Sequence, residues 1–200
     1  LGTAVSPTLY GSTTLANLDK DDHTHDDGLA YVGPGIRATY DWRVQRAAQA
    51  TPQQVEDRHF VKDVTARTLP MLRDAGVTIL TGTDAGFLNS FNYPGFSLHD
   101  ELELYVSLGL TPREALMGSV VDGPRFLNQG ERYGAVATGK SADLLVLEAN
   151  PLADVSATRD AEAVVLRGRL IDAVELELMR AEIRARVAAR NAVFKPSPAS

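Results

Sequence analysis

A short apolar run that ends beside a single carboxylate most constrains the fold of this sequence. Residues 77–80 read Val-Thr-Ile-Leu, follow the helix-ending segment 74–76, and lead into residues 81–86, where Asp84 stands among small residues. An uninterrupted run of this kind after a glycine is typical of a buried parallel strand in an α/β protein. Because catalytic residues lie at the carboxyl ends of such strands, Asp84 is a candidate metal ligand or proton acceptor. These residues alone equally fit an aspartate that only caps the following turn.

The composition excludes several classes of protein. The 200 residues carry a formal net charge of −6 and contain no cysteine. An acidic chain argues against a nucleic-acid or anionic-membrane partner, and no apolar run is long enough to be a membrane span. Without cysteine, disulfides and thiolate metal sites are excluded. An apolar content of 44% predicts a folded globular chain of one domain or slightly more.

The N-terminal part of the chain predicts a strand and then a polar loop. Residues 3–9 read as a short strand, and residues 11–35 read as a mobile loop. The loop contains His23 and His25, whose spacing is that of a metal-binding pair on one face of a strand. Five aspartates lie within nine positions around them, which favours a solvated acidic loop. A separate metal site at the two histidines is the alternative.

Two helices are expected before the central strand. The first covers residues 36–50, and Thr51 with Pro52 begins the second. An apolar stripe with helical spacing continues along the second helix, where Pro70 should kink or divide it. The stripe consists of Val61, Val64, Thr68 and Leu72. His59 beside it is interpreted as a surface histidine.

The segment after the central strand combines a polar loop with two helix starts. Asn89, Asn92 and Tyr93 lie in a loop over residues 85–96, which suits either substrate contact or an ordinary surface loop. Ser97 is expected to cap a helix with Leu98, Leu102 and Tyr105 on its buried side. His99, in the first turn, points either into a site or onto the neighbouring loop. Residues 111–114 give a second start signal, with a threonine cap, proline and glutamate.

The C-terminal part of the chain has a different pattern of predicted secondary structure. Residues 144–147 and 163–166 predict two strands of a small antiparallel unit. A helix over residues 174–190 carries Leu176, Met179, Ile183 and Val187 on one face, as a docking surface. Residues 195–198 read as a frayed tail. The expected division is residues 1–133, 134–172 and 173–200.

Three segments in this order resemble the amidohydrolase superfamily, in particular its imidazolonepropionase-like and prolidase-like branch. They are residues 82–86, 94–102 and 109–116, followed by residues 139–144 and 150–152. The resemblance covers about residues 5–172. It implies a (β/α)₈ TIM-type barrel with a small β-sandwich built from both chain ends. Residues 3–9 and 77–80 would then be barrel strands seven and eight.

The resemblance also implies a chemistry and a set of site residues. Asp84 matches the aspartate that binds the metal and accepts a proton from the attacking water in hydrolysis of an amide, peptide or cyclic C–N bond. The expected cofactor is one or two divalent ions, with zinc as the family expectation. The expected ligand is a small molecule or short peptide, contacted by Tyr10, Asn89, Asn92, Tyr93 and His99. A cytoplasmic homo-oligomer is also expected.

The sequence departs from the family pattern in its metal ligands. The His-x-His pair after strand one and the ligands after strands four to six have no match, and His23 and His25 follow strand seven. A barrel needs about 250 residues, and two strands cannot close it. We therefore expect the chain to be the C-terminal part of an enzyme whose N-terminal remainder is its partner. A non-catalytic interaction module, with Asp84 as a turn residue, is the alternative.

Overall fold

Helices dominate the chain, and its strands are short. The computed structural model describes residues 2–86 and 89–194. The helices are α1 (Leu9–Ala16), α2 (Pro34–Ala48), α3 (Pro52–Asp74), α4 (Phe96–Ser107), α5 (Pro112–Met117), α6 (Gly123–Phe126) and α7 (Ala173–Val193). The strands are β1 (Ala4–Val5), β2 (Thr78–Ile79), β3 (Leu144–Leu147), β4 (Ala161–Leu166) and β5 (Arg169–Asp172). Single 3₁₀ turns cover Asp27–Tyr31 and Val155–Arg159, and Gly118–Asp122 is π-helical.

The two strands of the larger part lie side by side and run in the same direction. β1 pairs with β2 in parallel, and the amide of Leu80 donates to the carbonyl oxygen of Val5 at 2.8 Å. A parallel pair requires a crossover connection, and α1, α2 and α3 supply it here. The α/β class and the strand expected over residues 77–80 are therefore confirmed. The strand expected over residues 3–9 is right only at Ala4–Val5, because Leu9 already begins α1.

The larger apolar core forms where α1, α3, α4 and α5 meet beside β2. Its buried residues are Leu9, Leu69, Leu102, Tyr105, Leu110, Ala115 and Val155. The residues after α5 approach the strand closely, because a Cβ on Gly118 would lie 2.6 Å from the carbonyl oxygen of Ile79. The hydroxyl of Thr81 donates to the carbonyl oxygen of Ala115 at 2.9 Å. This contact fixes the strand that leads to Asp84.

The loop expected over residues 11–35 is wrong in part. α1 continues to Ala16, and Asp27–Tyr31 forms a 3₁₀ turn. The residue before α1, Thr8, has φ 49° and ψ 50° and makes no side-chain cap. A helix that begins on a left-handed residue without a local cap lacks the usual start signal, so local sequence rules miss it.

Helix α3 agrees with the expected start but not with the expected break. The cap predicted at Thr51 is confirmed, and the structure adds a reciprocal capping box between Thr51 and Gln54. The helix continues through Pro70 to Asp74, so of the expected kink or division the division is wrong, and the kink stays a prediction. Val61 is 60% exposed and Val64 is 40% exposed, so the apolar stripe does not face the described core.

The C-terminal sheet contains one strand more than the sequence indicated. β3, β4 and β5 form an antiparallel sheet in that order, and the two expected strands are confirmed. The unexpected strand, β5, follows a two-residue turn in which Arg167 has φ 53° and Gly168 has φ 82°. Positive φ at both positions is the geometry of a tight type I′ hairpin.

Helix α7 returns to the first part of the chain. The guanidinium of Arg184 donates to the hydroxyl of Tyr31 at 2.6 Å. Met179 and Ile183 are each 45% exposed, so the expected docking stripe is only partly covered by the described residues. The tail expected at residues 195–198 lies outside those residues. None of the described helices combines the length and apolar character needed to cross a membrane.

Candidate functional site

Asp84 lies in the loop that leaves the carboxyl end of β2. Its backbone has φ 51°, its side chain is exposed, and the side-chain amide of Asn89 donates to its Oδ2 at 2.9 Å. The same amide donates to the carbonyl oxygen of Asp84 at 2.5 Å. Left-handed geometry is uncommon outside glycine, although aspartate tolerates it better than most residues. The carboxylate is thus held at the strand end and faces solvent.

Asn92 joins the following loop to the same segment. Its side chain is fully buried, and its Nδ2 donates to the carbonyl oxygen of Thr83. The Oδ1 atom is buried without a hydrogen-bond partner among residues 2–86 and 89–194. An unpaired buried carbonyl is costly in a folded chain, so this atom marks a place where an external donor would be stabilising.

Tyr93 is tied to the acidic loop that precedes α2. Its hydroxyl donates to Oδ2 of Asp26 at 2.8 Å, and Nδ1 of His23 lies 2.9 Å from the same oxygen. The ring of His23 stacks on that of Phe91, with centroids 4.1 Å apart and planes at 11°. Burial and Asp26 raise the pKa of Tyr93, so its hydroxyl stays protonated.

These contacts correct the interpretation of residues 19–28 as a solvated loop. His25, Asp21 and Asp22 are exposed as expected, but His23 is half-buried and fixed against Phe91. The loop is therefore attached to the segment that follows Asp84. His59, expected at a helix surface, is also partly buried, and its Nε2 lies 3.2 Å from Oδ1 of Asp19.

Gly28 allows this attachment, and its replacement gives a direct test. A Cβ at position 28 would overlap the ring of Tyr93. We expect Gly28→Ala to lower the free energy of unfolding by about 1–3 kcal/mol, since overpacking displaces the ring. Gly35→Ala is the matched control, because no atom lies within 4 Å of its added Cβ in α2. Urea unfolding of Gly35→Ala should show an unchanged or higher free energy of unfolding. An equal decrease in both variants would contradict the close packing of Gly28 on Tyr93.

Tyr10 and Glu101 connect the start of α1 with α4. Glu101 is fully buried, and its two carboxylate oxygens accept from the amides of Leu9 at 2.8 Å and Tyr10 at 2.6 Å. The glutamate therefore caps α1 from another helix, in place of a local cap. Burial raises the pKa of Glu101, while the two amide bonds act in the opposite direction. Burial and Asp100 raise the pKa of Tyr10 to about 12.

The sequence reasoning missed Glu101, although a signal was present. It lies four residues after Ser97 and four before Tyr105, and all three residues are fully buried on α4. This spacing places them on one helix face. The expected cap at Ser97 is wrong, because Gly95 precedes the helix with φ 85° and the hydroxyl of Ser97 accepts from the amide of Tyr93 at 2.8 Å.

His99 contacts the segment Val155–Arg159. Its Nδ1 lies 2.9 Å from the hydroxyl oxygen of Thr158, and burial with the nearby Arg159 lowers its pKa. Arg159 itself donates to Asp100 and to Glu103, each at 2.6 Å. Of the two orientations considered for His99, the structure has the one toward a neighbouring loop. This places His99 at the junction of α4 with the C-terminal part.

The described residues do not form a complete metal site by themselves. No group of three or more His, Cys, Asp and Glu side chains among them could hold one. Nδ1 of His23 pairs with Asp26, its Nε2 is buried without a hydrogen-bond partner among the described residues, and His25 is exposed. No further ligands join the two histidines in this part of the chain. The exposed carboxylate of Asp84 fits the role of one oxygen ligand, and no more than one.

The sequence of this chain is similar to those of known proteins. Residues 30–171 match the model of the amidohydrolase family, a segment that includes Asp84, Asn89 and Glu101 but not Tyr10. The imidazolonepropionase of Aeromonas hydrophila is 31% identical over 150 residues, which are 74% of this chain and 34% of that protein. The imidazolonepropionase of Deinococcus deserti is 40% identical over 94 residues, 46% of this chain and 23% of that protein.

A solved structure extends the likeness to the fold. Bottromycin amidohydrolase superposes with a TM-score of 0.72 at 21% identity, covering 93% of this chain and 40% of that one. The chain thus spans between 23% and 34% of the two curated relatives and a similar fraction of this structure. The match to the family model covers more than half of the chain, and the chain belongs to the amidohydrolase family.

Proposed function

We propose that this chain forms the C-terminal part of a metal-dependent hydrolase with a (β/α)₈ barrel, in which β1 and β2 are strands seven and eight. The reaction is hydrolysis of an amide, peptide or cyclic C–N bond in a small molecule or short peptide. The observation that carries the proposal is the exposed carboxylate of Asp84 at the carboxyl end of a parallel strand. Family membership supports it, since reactive groups collect at that end of such strands.

In this proposal Asp84 has two roles. It supplies one oxygen ligand to a divalent ion, with zinc as the expected metal, and it accepts a proton from the attacking water. The ion, when bound, lowers the pKa of water and polarises the substrate carbonyl. The amide of Asn89 orients the carboxylate by donating to its Oδ2 atom. The remaining ligands would come from outside the described residues, and one carboxylate does not determine whether one ion or two are bound.

The proposed substrate-binding residues are placed unequally for this role. Asn89 is within hydrogen-bond distance of Asp84, and the unpaired Oδ1 of Asn92 offers an acceptor beside Thr83. Tyr93 is bonded to Asp26, so its contribution would be to shape the loop. Tyr10 would act from the first turn of α1, where Glu101 fixes its backbone. His99 contacts Thr158, so any effect of His99 on substrate binding would be indirect.

The second candidate function is an interaction module without catalysis. It is favoured by the left-handed backbone of Asp84 and by the two bonds from Asn89, which would also suit a simple turn. In that case Asp84→Asn would have no effect on any enzyme that includes this chain. The same substitution would abolish most activity under the first proposal, and the test is given in the Discussion.

Titration of this chain with zinc tests how many ligands it contributes. Because Asp84 is a single oxygen ligand, we expect weak binding without a defined stoichiometry in a calorimetric titration. Asp84→Ala should change the measured heat of zinc binding little at low zinc concentrations. Tight binding of one ion per chain would contradict this expectation. If His23→Ala then removed such binding while Asp84→Ala did not, the acidic loop would be the metal site.

A further inference from the structure

A second region of the chain has the features of a ligand site. A cavity of about 990 Å³ lies between α1, α2 and the N-terminal half of α3. Neither Asp84 nor any of the described residues after it lines this cavity. The volume is at the upper end of the range for small-molecule sites, which run from about 300 to 1,000 Å³.

The charge of this cavity is opposite to that of the chain. Four cationic side chains line it, together with one carboxylate, whereas the whole chain has a net charge of −6. The cations are Arg43, Arg46, Arg58 and Lys62, and the carboxylate is Asp57. A cleft lined mainly by one sign of charge concentrates ligands of the other sign.

Arg58 is the least compensated of these cations. Its Nε and Nη2 atoms are buried without hydrogen-bond partners in the described part of the chain. Lys62, by comparison, has Asp63 at 3.4 Å. A guanidinium that is partly desolvated and lacks an acceptor is stabilised by an anion, and its planar geometry suits a carboxylate.

The remaining wall of the cavity is apolar. Leu15, Leu18 and Val61 contribute aliphatic surface, and Trp42 contributes an aromatic ring that is 47% exposed. The guanidinium of Arg46 lies 5.5 Å from the centre of this ring. A ligand that suits both parts of the wall has an anionic head and an apolar body.

We propose that this cavity binds a small organic carboxylate with an aromatic or aliphatic body. The head group lies toward Arg58 and Arg46, and the body lies against Trp42 and Leu15. This binding does not depend on the hydrolytic proposal, because it uses none of the residues around Asp84.

Trp42 is the one tryptophan in the sequence and lines this cavity, so tryptophan fluorescence reports on this cavity alone. The probes are 4-phenylbutyrate and its uncharged amide, 4-phenylbutyramide, which have the same apolar body. We expect the carboxylate to shift the emission of Trp42 to shorter wavelength and to bind at least about tenfold more tightly than the amide. Equal affinities for the two probes, or no spectral change with either, would overturn the proposal.

Variants of the chain locate the interaction. Arg58→Gln and Arg46→Gln should each weaken binding of the carboxylate by about tenfold and leave binding of the amide unchanged. Arg113→Gln, at an exposed arginine of α5, removes the same charge elsewhere and should have no effect. Circular dichroism confirms that each variant is folded. A similar loss in all three variants would show a long-range effect of net charge and would contradict the site.

Discussion

Replacing Asp84 by asparagine is expected to lower kcat by about 10²- to 10⁴-fold in an enzyme that contains this chain, since this is the range for losing a positioned proton acceptor. Asparagine has nearly the same shape and can keep a hydrogen bond with Asn89, but it cannot accept the proton. The measurement is steady-state kinetics on a substrate of the unmodified enzyme, which under the proposed function is an amide, a peptide or a cyclic C–N compound. The metal content of the variant is measured in parallel.

The matched control for this variant is Asp160→Asn, at an exposed aspartate before β4. It changes the net charge by the same amount and should retain full activity. If Asp84→Asn and Asp160→Asn had equal activity, Asp84 would be only a turn residue, and the interaction module would be the better interpretation.

The second large effect concerns stability. Glu101→Ala is expected to lower the free energy of unfolding by about 2–5 kcal/mol, because it leaves the buried amide of Leu9 and the part-buried amide of Tyr10 without acceptors, at about 1–3 kcal/mol for a buried donor. The amides of Leu9 and Tyr10 have no other role in the described structure than this cap. Glu101→Gln keeps one acceptor oxygen and should show a smaller loss. Urea unfolding followed by circular dichroism gives both values.

Glu148→Ala is the control for this prediction, since Glu148 is an exposed glutamate at the end of β3. It should change the unfolding free energy by less than about 0.5 kcal/mol. A small effect for Glu101→Ala would show that water replaces the carboxylate at the start of α1, and the link between α1 and α4 would then be of little importance.

The features that the sequence predicted correctly depend on neighbouring residues. The starts of α3 and α5 were predicted because a threonine cap is followed by proline at Thr51 and at Thr111, with Glu114 completing the signal at the second. The strand before Asp84 was predicted from an apolar run and a preceding glycine. Each of these signals lies within a few residues, so no knowledge of the tertiary structure is needed.

The features that were missed depend on residues distant in sequence. α1 has no cap of its own and takes one from Glu101, 92 positions later. His23 was interpreted as part of a solvated loop, but the ring of Phe91 and the carboxylate of Asp26 hold it in place. A composition rich in aspartate predicts solvent exposure for a segment as a whole. It does not identify the one side chain that an aromatic residue 68 positions away will cover.

The most direct test of the central claim is an anomalous-scattering map, recorded at the zinc edge, of crystals of the enzyme that includes this chain. We expect a zinc ion at about 2.0–2.2 Å from a carboxylate oxygen of Asp84, which is the usual zinc–carboxylate distance. An ion bound in the same protein with Asp84 outside its coordination shell would contradict the account.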